Sequence, residues 1–282
     1  MRVAKLKNKW KEKNLIDKFY QNEILCSFFI FADMRYFIHM AYNGTRYCGW
    51  QIQPNALSVQ GELNDALSRI LGENIETVGA GRTDSGVHAS CFFAHFDTEK
   101  TLNLQDVVYK LNRILSRDIV IYNVFPVADD LHARFSALSR TYTYTITKVK
   151  NPFAIETELY VPQKINVDEM NAACALLIGT HDFTSFSKLH TDVKNNICTV
   201  TKAQWEENDR QIIFTITANR FLRNMVRSIV GTLLDVGQKK ITVEQFADIV
   251  ESKNRQNAGQ SISACGLSLC DIEYPANCFE KQ

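Results

Sequence analysis

The sequence predicts an α+β protein made of two halves, each a small sheet with helices packed on one face. Three observations carry this. Thr141, Thr143, Thr145 and Thr147 alternate with Tyr142, Tyr144 and Ile146, the two-residue period of a half-buried strand. Val59, Leu63, Ala66, Leu67, Ile70 and Leu71 recur at helical spacing behind Ser58, a residue that caps helix starts. Each half mixes a few strands with about two helices, as expected when helices cover one sheet face. No low-complexity linker separates the halves, so their sheets are expected to pack into one continuous body.

Taken in chain order, residues 36–42 read as the first strand and the Ser58-capped stretch as the first helix. A glycine-flanked turn around Asp84 leads into Cys91-Phe92-Phe93-Ala94-His95-Phe96-Asp97, a half-buried strand at a sheet edge. A short helix over 105–115 and an apolar strand over 119–127 follow. The second half opens at Arg140 with the Thr/Tyr strand. Asn166 with Glu169 forms a capping-box pattern, heading a helix that turns Val167, Met170, Cys174, Leu177 and Ile178 inward. Strands over 197–206 and 211–218 come next, then a helix over 221–236. Thr242 and Gln245 cap a further helix, and residues 266–272 close as a strand. The expected division is an extension at 1–33, a first half at 34–137 and a second at 138–282.

Composition narrows the class. A hydrophobic content of 45% suits a globular protein with a substantial core. The eight cysteines include no Cys-x-x-Cys pair, and Cys265 with Cys270 lacks a matching second pair for zinc. The six histidines show no tight ligand spacing, so no metal is expected and the cysteines are read as reduced packing residues of a cytoplasmic protein.

The net charge is +1, but it is unevenly spread. Residues 1–18 carry seven basic side chains against Glu12 and Asp17, which leaves the rest of the chain at about −4. Any polyanion must therefore meet concentrated patches rather than a global field. Candidate patches are Arg220 with Arg223 and Arg227, Lys148 with Lys150, and Lys188 with Lys194.

The apolar run at 24–32 is shorter than the roughly 20 residues that span a bilayer. It follows a long segment containing Asp17 and Glu23 and has no small-x-small cleavage site, which argues against a signal peptide. Met34 stands directly before the first strand. The expectation is that translation starts there, leaving 1–33 unmade or disordered; a basic RNA-contacting arm is the second reading.

The most informative segment is Gly81-Arg82-Thr83-Asp84-Ser85-Gly86-Val87-His88. Its glycines force a tight turn that sets an acid beside an arginine. A carboxylate held there can act as nucleophile, as general base, or only as a turn-former through local hydrogen bonds.

The rest of the chain bears on that choice. Ala41-Tyr42-Asn43-Gly44, Gly49-Trp50-Gln51, His132-Ala133-Arg134-Phe135-Ser136-Ala137, Arg140-Thr141-Tyr142-Thr143-Tyr144, Asp182-Phe183-Thr184-Ser185-Phe186 and Phe221-Leu222-Arg223-Asn224-Met225-Val226-Arg227 follow one another in order. Together with the octapeptide they resemble the TruA-type tRNA pseudouridine synthases, from about Met34 to Pro275. The resemblance implies ferredoxin-like halves related by pseudo-symmetry, with the active-site cleft between them. It implies isomerisation of uridine to pseudouridine at positions 38, 39 and 40 of tRNA, no cofactor, and a homodimer that grips one tRNA.

It also implies the site residues. Asp84 matches the essential carboxylate, either attacking ribose C1′ or removing the C2′ proton to give a glycal. Tyr142 matches the active-site tyrosine, stacking on the extruded uracil and available to take the C5 proton. Tyr144 shares its strand face and is read as either functional or core. Arg227 is the matched cation for an ion pair with Asp84, since a nearby cation favours the charged form of a carboxylate in a closed cleft. Arg223 lies one turn earlier on the same expected helix and faces the same side. Arg82 points the same way as Asp84 along an extended segment and would hold the flipped base out. Arg220 and Arg223 are read as substrate-binding, and His88 as loop structure.

Two rivals fare worse. Gly79-Ala80-Gly81 suggests a nucleotide-cradling loop, but the third glycine of that fingerprint would fall at Asp84 and no Walker lysine follows. A non-catalytic RNA-binding protein on the same fold would have no need to keep Asp84. The same reaction at other RNA positions stays open.

Overall fold

The computed structural model describes residues 34–188, 195–276, 278 and 279. The expectations for residues 1–33 and for Lys194 lie outside these residues. The expected α+β class holds. Ten strands form one mixed sheet, and five α-helices accompany it among the described residues.

The first half contributes β1 (Met34–Tyr42), α1 (Val59–Leu71), β2 (Val78–Gly79), β3 (His88–Thr98), α2 (Leu104–Ile114) and β4 (Ile119–Pro126). The second contributes β5 (Ser139–Thr147), β6 (Leu159–Tyr160), α3 (Val167–Ala175), β7 (Gly179–Asp182), β8 (Ile197–Glu207), β9 (Gln211–Ala218), α4 (Met225–Gly237), α5 (Val243–Ser252) and β10 (Leu267–Glu273). The caps behave largely as the sequence predicts. Ser58 accepts the Gly61 N–H, and Thr242 with Gln245 forms a complete capping box.

Three local expectations fail for physical reasons. Asn166 caps α3 by accepting from Glu169 N, but its own backbone N–H already donates to Gly237 O, so the reciprocal half of the box does not form. Ile178 lies beyond the end of α3 and is exposed rather than inward. The helix expected over 221–236 begins only at Met225, because Asn224 adopts a left-handed φ of 65° that interrupts it.

The strand order is β4-β1-β3-β10-β5-β9-β8-β7, with β2 on β3 and β6 on β5. The last strand, β10, is inserted between the halves. It runs parallel to β3 and antiparallel to β5, so the two halves share one sheet edge to edge.

Two apolar clusters flank that seam. One gathers Phe37, Trp50, Leu63, Phe92 and Leu111 with Leu269 and Ile272 of β10. The other gathers Tyr144, Phe183, Phe186, Trp205, Phe214 and most of α4, and draws in Val87 from the first half. Phe183 and Phe186 are fully buried, so the Asp182–Phe186 motif serves the core. No helix among the described residues is long and apolar enough to cross a membrane.

Candidate active site

The Asp84 turn is fixed from below by the opening motif. Thr83 is buried, and its Oγ1 accepts from Trp50 N at 3.1 Å and pairs with the Tyr42 hydroxyl at 2.9 Å. Val87 N donates to Asp84 O at 3.1 Å, closing a turn whose third residue, Gly86, has φ 77°. That sign of φ explains the glycine. Gly86 N also donates to Tyr47 O at 3.1 Å. Residues 42–50 thus form the bed on which the acid sits.

The turn lies on the seam. Val87 packs into the second core, and a side chain at Gly86 would meet Ala264. His88 bridges the halves: its Nδ1 accepts from Gly44 N at 3.1 Å, which leaves Nε2 to donate to Cys265 O at 3.0 Å. His88 is thus a buried joint at the start of β3, not loop structure. Burial lowers its pKa, consistent with a neutral ring.

Tyr142 faces the turn from β5. Burial, and then the charge of nearby Asp84, raise its phenol well above the ordinary tyrosine range. Its ring meets Phe221 edge-on at 5.1 Å between centroids and touches both apolar clusters. Tyr144 has a different fate: it is fully buried and its hydroxyl donates to Ser263 O at 2.9 Å, which makes it core. Asp84 itself is half-buried, and its carboxylate makes no hydrogen bond or ion pair among the described residues.

The arginines are arranged differently from the sequence expectation. Arg227 does not pair directly with Asp84. Its Nε donates to Ile262 O at 2.8 Å, and Ile262 N returns a bond to Arg227 O at 3.1 Å, which holds it on the segment before β10. Its charge still reaches Tyr144. Arg223 does not share a helix face with Arg227, since it precedes α4 and is exposed beyond the left-handed Asn224. Arg82 is exposed, and Arg220 is half-buried in the loop after β9. Lys148, offered as part of a basic patch, is taken up by Glu207 at 3.0 Å.

Sequence reasoning passed over two arginines. Arg140 donates from Nη1 to Ala137 O and Asn219 O, and from Nη2 to Ala80 O and Arg134 O, at 2.5–3.1 Å. Arg134 shares a cleft of about 340 Å³ with Arg82, Gly81, Trp50 and Gln51. A larger cleft, about 510 Å³, is lined by Asn43, Ser90, Asp118, Thr145 and Ser268, but holds neither Asp84 nor Tyr142. No group of three or more His, Cys, Asp or Glu among the described residues could hold a metal ion. Gly79, offered as part of a nucleotide loop, instead ends β2 beside the Trp50 ring.

This geometry presents an unpaired carboxylate and a tyrosine across a seam between two half-sheets, with arginines around them. A family model described as tRNA pseudouridine synthase matches residues 38–136 and 173–275, which include Asp84, Arg227 and β10 but not β5 with Tyr142. The chain belongs to the tRNA pseudouridine synthase family. It is 51% identical over 248 residues to a tRNA pseudouridine synthase A of Bacteroides fragilis, covering 87% of this chain and 98% of that relative. It is 50% identical over 249 residues to the protein of that name from Porphyromonas gingivalis, covering 87% and 99%. A Clostridium acetobutylicum relative of the same name is 43% identical over 238 residues, covering 83% and 97%. Family membership makes the chain an isomerase that converts uridine to pseudouridine in tRNA.

Proposed function

We propose that this tRNA pseudouridine synthase works through Asp84 and acts at positions 38, 39 and 40 of the anticodon stem-loop. The observation that carries the reading is the unpaired Asp84 carboxylate, held rigidly at the seam and facing Tyr142. The reaction breaks the bond from uracil N1 to ribose C1′, turns the base and joins C5 to C1′. N1 gains a proton, C5 loses one, and no electrons are exchanged overall. A fixed carboxylate suffices for either route, attack on C1′ or removal of the C2′ proton.

The other residues serve the base and the strand. Arg82, exposed two residues before Asp84, fills the space the uridine vacates, which offsets the few kcal/mol needed to extrude a nucleotide. Tyr142 stacks on the extruded base, and its neutral phenol takes the C5 proton on oxygen as it passes its own proton on to solvent. Arg227 supplies positive charge on the far side of the seam without contacting the acid. Arg220 and Arg223 hold phosphates, whose neutralisation dominates RNA affinity. The active unit is a cytoplasmic homodimer acting on one tRNA, without metal or cofactor.

Tritium release from 5-tritiated uridine in unmodified tRNA tests this, with wild type beside Asp84→Asn. Release by wild type alone is expected, and mapping the product should place pseudouridine at 38, 39 or 40. Equal release by both proteins would mean that another acid carries the reaction.

A further inference from the structure

The loop 132–137 has no part in the chemistry above, yet it is held more tightly than a surface loop requires. His132 N donates to Ser136 Oγ, and Ser136 N donates back to His132 O, both at 3.0 Å. Arg134 N and Phe135 N both donate to His132 Nδ1, at 3.0 and 3.2 Å. Ala133 N donates to His95 Nδ1, and Ala133 O accepts from the Tyr274 hydroxyl. Arg140 takes the carbonyls of Arg134 and Ala137. A backbone held at this many points does not fluctuate like a free loop tip.

What this rigid loop displays is an aromatic ring. Phe135 is 78% exposed. It is backed by His132 at 4.4 Å between centroids, and His132 in turn by His95 at 4.7 Å. The Arg134 guanidinium lies 5.7 Å from the Phe135 centroid. The outer face of the ring is left to solvent.

The surrounding charge points to the occupant. Arg134 and Arg82 line the same cleft, and Arg220 is close enough for its charge to act on Arg134. No carboxylate among the described residues pairs with any of the three. Three guanidinium groups converging without a counter-ion repel one another, and a polyanion relieves that repulsion. Arginine forks also match phosphate oxygens bidentately.

We propose that the Arg134–Phe135 loop is a nucleotide-binding element beside the catalytic turn. Phe135 stacks on an unpaired base of the RNA next to the target uridine, and Arg134 and Arg220 hold the phosphates flanking it, beside Arg82 in the vacated stack. Single-stranded bases splayed from a loop are recognised in this way, by stacking on an aromatic ring with charge along the backbone. The inference rests on the tRNA reading of the cleft and names which residues grip the strand there.

The test is direct binding of unmodified tRNA transcript to Asp84→Asn protein, alone and combined with Phe135→Ala, Phe135→Leu, Phe135→Trp or Arg134→Gln, over a range of salt. Phe135→Ala and Phe135→Leu should weaken binding roughly five- to 150-fold, and Phe135→Trp should retain it. Arg134→Gln should lower the slope of log affinity against log salt by about one. Native affinity in Phe135→Leu would overturn the proposal. So would an affinity loss that tracks dissociation of an oligomer in sedimentation, since the ring would then be covering a second copy. Because the binding assay needs no turnover, a wild type that binds this tRNA through Phe135 yet releases no tritium would sink the assignment to positions 38, 39 and 40 and leave this one standing.

Discussion

A side chain at Gly49 would overlap the carbonyl oxygen of Thr83, and Gly49 has φ 87°. The Asp84 turn therefore rests on a position that only glycine fills without strain. Gly49→Ala should cost about 1–3 kcal/mol from the backbone conformation alone, and more from the overlap. It should also lift Thr83 and the adjoining Asp84. A shift of about 1 Å at a reacting group can cost on the order of 10²-fold in rate. Thermal melts beside kcat/KM check this. A large activity loss with a melting point near native would show displacement of the acid; full activity would show that the bed does not position it.

Tyr142 offers a separation of stacking from proton transfer. Its raised phenol pKa means the hydroxyl stays protonated throughout the neutral range, so no rate limb from its ionisation is expected below pH 10. Tyr142→Phe keeps the ring and should leave KM within about threefold while lowering kcat by about 10²-fold or more, the usual share of general acid–base catalysis. Tyr142→Ala should raise KM as well. Unchanged kcat in Tyr142→Phe would confine the residue to stacking.

Buried histidines should make the fold acid-labile. Burial, and then the charge of Arg35, lower His95 from 6.5 to about 4, while its Nδ1 accepts from Ala133 N. His88 and His132 are also lowered, chiefly by burial. A depressed pKa means the unfolded chain binds the proton first as pH drops. Stability is thus insensitive to these groups above about pH 6.5 and declines as pH falls from there towards 4. For His95 alone the loss is on the order of 3 kcal/mol. Denaturant melts between pH 7 and 4 should show the slope, and His95→Gln should flatten it. A pH-independent midpoint across that window would mean that these rings are protonated in the fold.

Local chemistry was legible in the sequence; pairing across the chain was not. The Thr/Tyr alternation of β5, the Ser58 cap and the Thr242–Gln245 box depend on neighbours within a few residues, and all three formed. That β10 would enter between β3 and β5 depends on partners more than a hundred residues away, which no periodicity records. The same limit governed the site. Asp84, Arg82 and Tyr142 were singled out by motif, but Tyr142 and Tyr144 share a strand face and only their neighbours separate them. Arg227 was expected to meet Asp84 because the resemblance matched it to the pairing cation; a backbone carbonyl at Ile262 satisfied it instead. Arg134 and Arg140 lay inside quoted motifs and were passed over; for Arg140, the acceptors at Ala80 and Asn219, sixty or more residues away, leave no sequence signature.

Arg140 provides the remaining test. Its guanidinium is half-buried with no ion-paired carboxylate, and its charge is satisfied by four carbonyls from three chain segments. One of those carbonyls lies two residues before Arg82, one is that of Arg134, and one immediately precedes Arg220. Arg140 therefore sets the relative positions of three arginines it does not touch side chain to side chain. A lysine can place one ammonium but not a planar fork with five donors, so Arg140→Lys should recover only part of the function. Arg140→Ala should lose about 2 kcal/mol or more of stability through stranded carbonyls. If Arg140 only stabilised the fold, the salt dependence of tRNA binding by the folded variant would match wild type. As a positioning residue it should flatten that dependence in Arg140→Ala, because Arg134 and Arg220 no longer converge on the same phosphates. Binding isotherms across salt, taken below the melting point of each variant, separate the two roles.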